Sequence, residues 1–383
     1  MTPAARHQAA ITVLDRILGG EAAEKALTSW ARGARFAGSG DRAAIRDIVF
    51  DALRRRDSAA AAGGGLTGRG LVLGLLRQAG ADPDALFTGA GHAPDPLTKA
   101  ERALPAPKDG PDLPDWLWQA FQSSLGDQAG AAADALRHRA PVTLRVDLSR
   151  TTRAAAQAQL AREGVMTDAN PLSPSALTLT APARGVTQTT LFTAGLIEMQ
   201  DAASQAVVDA LPLPPKGRVL DFCAGGGGKT LAMAARTKAA LYAHDIAAAR
   251  LDPLAERAKR AAIHVTRIAP GLAAQHAPYD LVLCDVPCSG SGSWRRAPEA
   301  KWRLTPAALA RLCETQAAIL DQAAALVAPG GWLAYATCSL LRAENDAQAD
   351  AFAARSGWRV AARQHWLPDA RGDGFFVALI NQG

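Results

Sequence analysis

Apolar and polar positions divide the chain into a helical region followed by regions that contain strands. Between residues 41 and 53 the apolar side chains recur every three to four positions, which predicts an amphipathic helix with Asp41 as its N-cap. The stretch from 63 to 114 is dense in glycine and proline, which interrupt helices. We therefore expect residues 1–110 to form a helical domain that ends in a linker near 105–114.

A small α+β module is predicted to follow the helical domain. Residues 142–148 alternate between apolar and polar side chains as a half-buried strand does, and residues 151–162 have a helical pattern. Two shorter strands are expected at 177–180 and 191–192. These elements together predict an α+β module at 111–197.

From residue 217 onward, short apolar runs alternate with helical patterns, as in a doubly wound parallel α/β sheet. The strands are predicted at 218–223, 240–245, 263–267, 279–284, 331–337 and 374–380. Thr305 and Pro306 are the N-cap and first-turn signals of a long helix. We expect this α/β domain to occupy residues 198–383.

Two cysteines follow apolar strands of the predicted sheet. Cys288 comes after the strand at 279–284, within Asp285-Val286-Pro287-Cys288-Ser289, and Cys338 follows the strand at 331–337. Ligands of open α/β sheets bind at the carboxyl ends of the strands, and an exposed thiol there can have a lowered pKa. Cys288 and Cys338 are therefore candidates for thiol chemistry, whereas Cys284 and Cys313 are predicted to be small buried apolar residues.

A glycine-rich loop, Cys223-Ala224-Gly225-Gly226-Gly227-Gly228-Lys229-Thr230, connects the first predicted strand to its helix. Glycines at such a turn let the backbone approach a ligand closely. A P-loop would require glycine where Cys223 stands, so that interpretation is disfavoured. A dinucleotide site and a turn without ligand stay open. A nucleoside cofactor whose ribose hydroxyls donate to Asp245, after the second strand, fits best.

The chain has a net charge of +6 and an isoelectric point of about 9.3. Its basic residues are distributed unevenly along the sequence. Six arginines lie between residues 137 and 162, and a second basic cluster follows Cys288. The first cluster contains Arg137, Arg139, Arg145, Arg150, Arg153 and Arg162, and the second contains Arg295, Arg296, Lys301 and Arg303. Their clustering indicates a phosphate backbone as partner, with a solvated surface as the alternative.

Composition excludes several other classes of protein. A run of 18 apolar residues, which a membrane span needs, is absent from the sequence, so we expect no membrane partner. The five cysteines are odd in number and lie in apolar elements, which indicates reduced thiols and a cytoplasmic location. Cysteine and histidine spacings typical of zinc sites are also absent, so no metal is expected. We expect a monomer.

The chain from about 111 to 383 resembles the Sun/Nop family of RNA (cytosine-5)-methyltransferases, in particular its bacterial small-subunit rRNA branch (RsmB-like). The motifs that carry this resemblance are the Pro287-Cys288-Ser289 and Thr337-Cys338-Ser339 triplets, Gly292–Arg296 with Pro298 and Lys301-Trp302, Glu344-Asn345, Met199–Gln205, the glycine-rich loop, and Asp373–Phe376. The segment before residue 111 resembles a shortened NusB-like domain.

This resemblance implies a Rossmann-like fold that binds S-adenosylmethionine (SAM) and methylates carbon 5 of a cytosine. In the family's chemistry, Cys338 corresponds to the thiolate that adds to carbon 6, and Cys288 to the base that permits its release. Asp285 corresponds to the residue that holds the cytosine, and Lys229 lines the same pocket. The residues implied at the cofactor are Cys223, Ala224, Gly225, Gly226, Gly227, Gly228, Lys229, Asp245 and Asp285.

Two departures from the family pattern affect the cofactor site. Gly225 and Gly226 stand where the family loop commonly has Ala-Pro, and no acid follows the third strand at 268–271. SAM affinity is therefore expected to be lower, or to depend on other atoms. The substrate is expected to be 16S rRNA. The alternatives are a tRNA methyltransferase and an RNA-binding ribosome-assembly factor that has lost turnover.

Overall fold

The computed structural model describes residues 1–104, 110–181 and 185–383, so part of the predicted linker near 105–114 lies outside the described residues. The chain forms two compact units. The first consists of Met1–Gln122, Gly126–Arg139 and Trp294–Arg303, and the second of Ser123–Leu125, Ala140–Ser293 and Leu304–Gly383. The division into three domains at 1–110, 111–197 and 198–383 stays a prediction.

The first unit is helical, as its apolar periodicity predicted. Its helices are Pro3–Leu18, Ala23–Gly33, Ser39–Arg54, Arg56–Gly63, Gly68–Gln78, Lys99–Arg102, Ala129–Ala135, Glu299–Arg303 and most of Asp115–Leu125. The helix expected at 41–53 is confirmed, but the prediction that Asp41 is its N-cap is wrong. Gly38 is the N-cap, and Asp41 lies in the first turn, where its carboxylate accepts from Gly38 N (3.1 Å) and Arg6 Nε (2.8 Å).

Glycines allow two helices of this unit to pack closely. A Cβ atom at Gly74 would lie 1.9 Å from the carbonyl oxygen of Ala59, and one at Gly63 would lie 1.7 Å from that of Gly70. Larger residues are therefore excluded at both positions.

Within the described residues no single helix is long and apolar enough to cross a membrane. Helices Arg56–Gly63 and Gly68–Gln78, bent by 91°, meet the length and composition criteria only as a pair.

The segment Trp294–Arg303 belongs to the helical unit although it follows Cys288 in the sequence. Trp294 is buried and stacks on Phe121, with ring centroids 5.9 Å apart. Lys301 Nζ donates to the carbonyl oxygen of Arg54 at 2.8 Å, and Trp302 Nε1 donates to that of Leu53 at 2.7 Å. These bonds occupy carbonyl groups at the end of helix Ser39–Arg54, which lack helical partners.

Burial of two of its four basic residues corrects part of the prediction of a second phosphate-binding cluster, whereas Arg296 and Arg303 are exposed. Arg295 is 2% exposed and Lys301 is 1% exposed, so neither presents its charge to solvent. Arg54 Nε donates to the carbonyl oxygen of Arg295 at 2.7 Å. Burial lowers the pKa of Lys301 to about 7, although the charges of Asp112 and Asp57 oppose this shift.

The second unit contains a four-stranded antiparallel sheet. Its strands are β1 (Thr143–Val146), β2 (Thr167–Ala169), β3 (Ala176–Leu179) and β4 (Ile197–Met199), in the spatial order β2-β3-β1-β4. Helix Arg153–Arg162 packs against it through Leu160, which joins a core with Leu144 and Leu177. The strand predicted at 191–192 is wrong: Thr190–Thr193 is a helical turn, because Thr189 Oγ1 accepts from Phe192 N at 3.3 Å and caps it.

The main sheet of the second unit has seven strands, and the predicted doubly wound architecture is confirmed. The strands are β5 (Arg218–Asp221), β6 (Ala240–His244), β7 (Thr266–Ile268), β8 (Tyr279–Asp285), β9 (Val327–Thr337), β10 (Arg359–Trp366) and β11 (Phe375–Asn381). Their order is β10-β11-β9-β8-β5-β6-β7. The five strands from β9 to β7 are parallel, and β11 and β10 form an antiparallel edge.

Alternating side chains of the parallel strands enter two separate cores. Val219 and Leu281 belong to the core on one face of the sheet, whereas Leu220 and Val282 belong to the core on the other. This division is the period-two pattern of a strand that is buried on both faces. Helices Ala202–Asp209, Gly228–Ala234, Asp252–Arg260, Pro306–Ala324 and Asp346–Ser356 accompany the sheet. The order of the strands reverses between β5 and β8, which is where such sheets bind ligands.

The pKa of Lys301 predicts how the stability of the chain depends on pH. Unfolded lysine keeps its proton up to pH 10.5, whereas folded Lys301 releases it near 7, so the unfolded state binds more protons between these values. Wild-type stability relative to Lys301→Met should therefore rise by about 1.4 kcal/mol per pH unit from pH 7 to 9. Urea unfolding followed by tryptophan fluorescence measures this slope. Lys25→Met, at an exposed position, is the control, and identical slopes for both variants would contradict the prediction.

Candidate active site

Parallel pairing of β8 with β9 brings the two candidate thiols together. Asp285 is in register with Ala336, so the segments that follow the two strands leave the sheet at the same edge. The sulfur atoms of Cys288 and Cys338 are 3.5 Å apart, which is a hydrogen-bond distance for sulfur. The structure therefore brings the two candidate thiols into contact, and their catalytic roles stay a prediction.

A cleft of about 490 Å³ opens at this edge and collects most of the predicted site residues. Those that line it are Cys223, Ala224, Gly225, Gly226, Gly228, Lys229, Asp285, Cys288 and Cys338. Gly227 and Asp245 are not among the described residues that line the cleft. Met199, Gln200, Ser204, Arg250 and Arg257, which the sequence did not single out for this cleft, line it as well.

The two thiols differ in their readiness to lose a proton. The hydrogen bond between Cys288 and Cys338 is the largest influence on both pKa values. It raises the pKa of Cys288, and burial raises it further. The same bond lowers the pKa of Cys338, helped by the Lys229 ammonium and opposed by burial and by the charge of Asp285. Cys338 is therefore the thiol that is more readily a thiolate.

Lys229 and Asp285 form an ion pair in the cleft, with Nζ 2.7 Å from Oδ2. Burial alone would lower the pKa of Lys229, but the charge of Asp285 and the hydrogen bond to it outweigh burial and raise this pKa. The ammonium also lies 5.0 Å from the centroid of the Phe375 ring. Lys229 is therefore a permanent cation beside the thiols.

The backbone of the glycine-rich loop adopts positive φ angles, which favour glycine. Gly225 and Gly227 have φ values of +50° and +77°. A Cβ atom at Gly227 would lie 2.3 Å from Leu254 Cδ1, so the loop could not keep its place against helix Asp252–Arg260 with a larger residue there.

Asp245, which follows β6, accepts a hydrogen bond from the backbone of the glycine-rich loop. Its Oδ2 accepts from Gly225 N at 3.0 Å, and its Oδ1 accepts from Ala247 N at 3.0 Å. Arg250 Nη1 lies 3.2 Å from Oδ2. Asp245 is 1% exposed, whereas the Arg250 side chain beside it is largely exposed. A contact between Asp245 and ribose hydroxyls stays a prediction.

Two arginines hold the carbonyl oxygens of the glycine loop. Arg145 Nη1 donates to the carbonyl oxygen of Gly228 at 2.8 Å and to Gln200 Oε1 at 2.7 Å. Arg257 donates to the carbonyl oxygen of Gly226. These bonds hold the backbone of the loop at Gly226 and Gly228.

The position of Arg145 corrects the prediction that it contacts phosphates. It is 4% exposed, and burial lowers its pKa to about 10. Arg150 and Arg153 also donate to backbone carbonyl groups, those of Ala261 (3.1 Å) and Asn170 (3.4 Å). In the helical unit Arg139 pairs with Asp47 at 3.1 Å. Arg145 is thus structural, whereas Arg139, Arg150 and Arg162 are exposed, and contact between these exposed arginines and phosphates stays a prediction.

A buried polar cluster joins the two cysteine motifs. Glu344 accepts from the hydroxyl groups of Ser289 and Ser339, each at 2.5 Å. Asn345 Oδ1 accepts from Thr337 Oγ1 at 2.5 Å, and its Nδ2 donates to the carbonyl oxygen of Ser339 at 2.9 Å. The sequence indicated Glu344 and Asn345 only through the family resemblance, because the contact of Glu344 with Ser289 forms only when β8 and β9 pair.

Five parallel strands with an antiparallel edge pair, and a glycine loop at the switch point, define a Rossmann-like methyltransferase. The family model described as 16S rRNA methyltransferase RsmB/F matches residues 208–381, and the RsmF/B-like ferredoxin-like domain matches 113–186. Ribosomal RNA small subunit methyltransferase B of Xanthomonas campestris is 36% identical over 306 residues, which are 74% of this chain and 70% of that protein. The chain belongs to the RsmB/F family of rRNA methyltransferases.

Solved structures agree with the fold. PH0851 superposes with a TM-score of 0.77 at 22% identity, over 100% of this chain and 99% of its own. NSun6 from Pyrococcus horikoshii with SFG superposes with a TM-score of 0.62 at 18% identity, over 70% of this chain and 98% of its own.

SAM is the cofactor of this methyltransferase family, and the cleft fits it. The loop from Cys223 to Gly226 faces the cleft, where its glycines lack side chains that would keep a ligand from the backbone. Gln200, Ser204 and Arg250 add polar groups for a zwitterionic nucleoside. SAM supplies an electrophilic methyl group when it is bound, and the thiols lie at the same cleft.

The loop contacts predict a cofactor-binding role for Arg145. Arg145→Ala should weaken binding of S-adenosylhomocysteine by about 1–3 kcal/mol, because the partly buried carbonyl group of Gly228 loses a charged donor. Isothermal titration calorimetry on the folded full-length chain measures this loss. Arg162→Ala, at an exposed position of the same module, should bind normally. Equal affinities for both variants would show that the arginine does not support the loop.

Proposed function

We propose that this chain transfers a methyl group from SAM to carbon 5 of a cytosine in 16S rRNA, through a bond between Cys338 and carbon 6. The observation that carries this proposal is the pair of thiols 3.5 Å apart, with pKa values shifted in opposite directions, at the cleft that holds the glycine loop. The rRNA substrate is supported by the name of the Xanthomonas campestris relative.

Carbon 5 of cytosine is a poor nucleophile until another group adds to carbon 6. A thiolate is suited to this addition, because it is strongly nucleophilic and can later be expelled. Cys338 has the lowered pKa of the pair, so it is the proposed nucleophile. Its addition to carbon 6 gives the ring the electron density with which carbon 5 accepts the methyl group.

Cys288 is the proposed base for the release step. It begins as a thiol, because it donates a hydrogen bond to the negatively charged sulfur of Cys338. That influence disappears once the Cys338 sulfur is bonded to carbon 6, so Cys288 can lose its proton to water. The Cys288 thiolate then takes the carbon 5 proton, and Cys338 leaves carbon 6 as a thiolate. One proton is released for each methyl group transferred.

Asp285 and Lys229 are proposed to orient the cytosine. The Asp285 carboxylate can accept from the exocyclic amino group and from the ring nitrogen once that nitrogen is protonated. The Lys229 ammonium, 2.7 Å from Asp285 Oδ2, fixes the carboxylate and favours negative charge on the Cys338 sulfur. Both charges are in place before the substrate arrives.

A ribosome-assembly factor without turnover is the second candidate. The segment Ala269–Leu272 after β7 provides no acid for the cofactor, which favours this candidate. The thiol pair favours the enzyme, because binding RNA without catalysis needs neither cysteine at that distance. A tRNA substrate is the alternative within the enzyme class.

The proposed reaction needs reduced thiols, so we propose a cytoplasmic location. We also propose that the chain is a monomer.

Replacing each of the two cysteines should stop the reaction at a different step. Cys338→Ala should give no covalent complex with RNA and no methylation, because the addition to carbon 6 cannot occur. Cys288→Ala should still add and methylate, and should then stay attached to the methylated cytosine. Denaturing gels of each variant with SAM and either 16S rRNA or tRNA detect this complex as a slowly migrating band.

The outcome on each RNA separates the candidates. A band with 16S rRNA alone supports the proposed substrate, and one with tRNA alone supports the tRNA enzyme. Cys313 is half-buried and is not among the described residues that line the cleft, so it provides the control: Cys313→Ala should turn over normally without a trapped complex. If Cys338→Ala is trapped instead, the roles of the thiols are reversed. If neither variant is trapped while the wild type methylates RNA, the covalent mechanism is contradicted.

A further inference from the structure

A buried carboxylate outside the proposed catalytic set connects the loops that carry the two thiols. Glu344 Oε1 accepts from Ser289 N at 2.8 Å, and Oε2 accepts from Ser289 Oγ at 2.5 Å, next to Cys288. Oε2 also accepts from Ser339 Oγ at 2.5 Å, next to Cys338. Glu344 is 0% exposed, so protein groups take the place of water around its charge.

The carboxylate is itself held from the opposite side. Gln316 Nε2, on helix Pro306–Ala324, donates to Glu344 Oε1 at 3.0 Å and to the carbonyl oxygen of Pro287 at 3.0 Å. Tyr335 Oη donates to the carbonyl oxygen of Glu344 at 2.5 Å and contacts Gln316 Oε1 at 3.2 Å. The carboxylate therefore has one position, and both cysteine loops are fixed to it.

The charges around the thiols are arranged unequally. The hydrogen bond to Cys338 and burial are the two largest causes of the raised pKa of Cys288. The charges of Cys338 and Glu344 raise this pKa further. Lys229 lowers the pKa of Cys338, whereas Asp285 opposes it. The other titratable groups that face Glu344 are the Cys313 thiol and the Tyr335 hydroxyl, whose pKa values are raised by burial first and by Glu344 as well.

We propose that Glu344 is a positioning residue that sets the geometry of the two thiols and retains the proton on Cys288, so that Cys338 is the one that attacks. The division of labour between the thiols rests on the proposed function. The location of the proton is a property of the chain alone and can be measured without substrate.

Alkylation of the full-length chain by iodoacetamide tests this proposal, because only thiolates react. Peptide mass spectrometry gives the rates at Cys288 and Cys338 separately between pH 6 and 9. The wild type should react first at Cys338. Glu344→Gln keeps the size of the side chain and removes its charge, so the rate at Cys288 relative to Cys338 should rise about tenfold, as a change of one pKa unit implies.

Matched variants distinguish charge from general damage. Glu344→Asp keeps the charge and should restore most of the preference for Cys338. Glu314→Gln, an exposed position on the same helix as Gln316, should react as the wild type does. If Glu344→Gln folds with an unchanged melting temperature and an unchanged ratio of rates, the proposal is overturned.

If Glu344→Gln does not fold, Ser339→Ala provides the second test, because it removes one hydrogen bond and leaves the charge. It should reduce the preference for Cys338 at least threefold, and an unchanged preference would overturn the proposal. Since neither RNA nor SAM is present, failure here leaves the proposed cytosine chemistry untouched. Equally, absence of cytosine methylation would leave the measured thiol reactivities unchanged.

Discussion

Parallel pairing of β8 and β9 is the constraint on which the site depends. The register that sets Asp285 beside Ala336 determines that the two strands end together, and the thiols follow three and two residues later. A shift of the register would separate Cys288 from Cys338 and remove the hydrogen bond that makes their pKa values differ. The neighbouring strand β5 then supplies the glycine loop to the same edge.

Buried charges around this edge are compensated by specific partners. Lys229 pairs with Asp285, Arg145 with backbone oxygen and Gln200, and Glu344 with two serine hydroxyl groups. Each buried charge would be costly without its partners, so each is held in one position. The site therefore contains the Lys229 ammonium near Cys338 and the carboxyl group of Glu344 near Cys288. This arrangement is what the proposed division between nucleophile and base requires.

The sequence predicted the parts of the site that depend on local pattern. Cys288, Cys338 and the glycine loop were identifiable because short apolar runs end immediately before them. Arg145 was misassigned because a basic residue in an alternating strand does not reveal its partner, and Gly228 lies 83 residues further along the chain. Asp245 was expected to face the cofactor. In the structure its carboxylate accepts hydrogen bonds from the backbone of Gly225 and Ala247 and pairs with Arg250.

Long-range packing explains the other differences from the sequence prediction. Nothing in the pattern of Trp294–Arg303 indicates that it packs in the helical unit, because its partners, such as Leu53 and Arg54, lie more than 240 residues earlier. The edge strand β10 was missed because most of its side chains are exposed and lack an apolar run.

Methylation of 16S rRNA that carries tritium at carbon 5 of its cytosines tests the central claim most directly. Methyl transfer to carbon 5 must remove the hydrogen from that carbon, whereas transfer to a ring nitrogen, to the amino group or to ribose leaves it in place. The account predicts that the full-length chain with SAM releases one tritium to water for each methyl group incorporated. Methyl incorporation with the tritium retained in the RNA would contradict it.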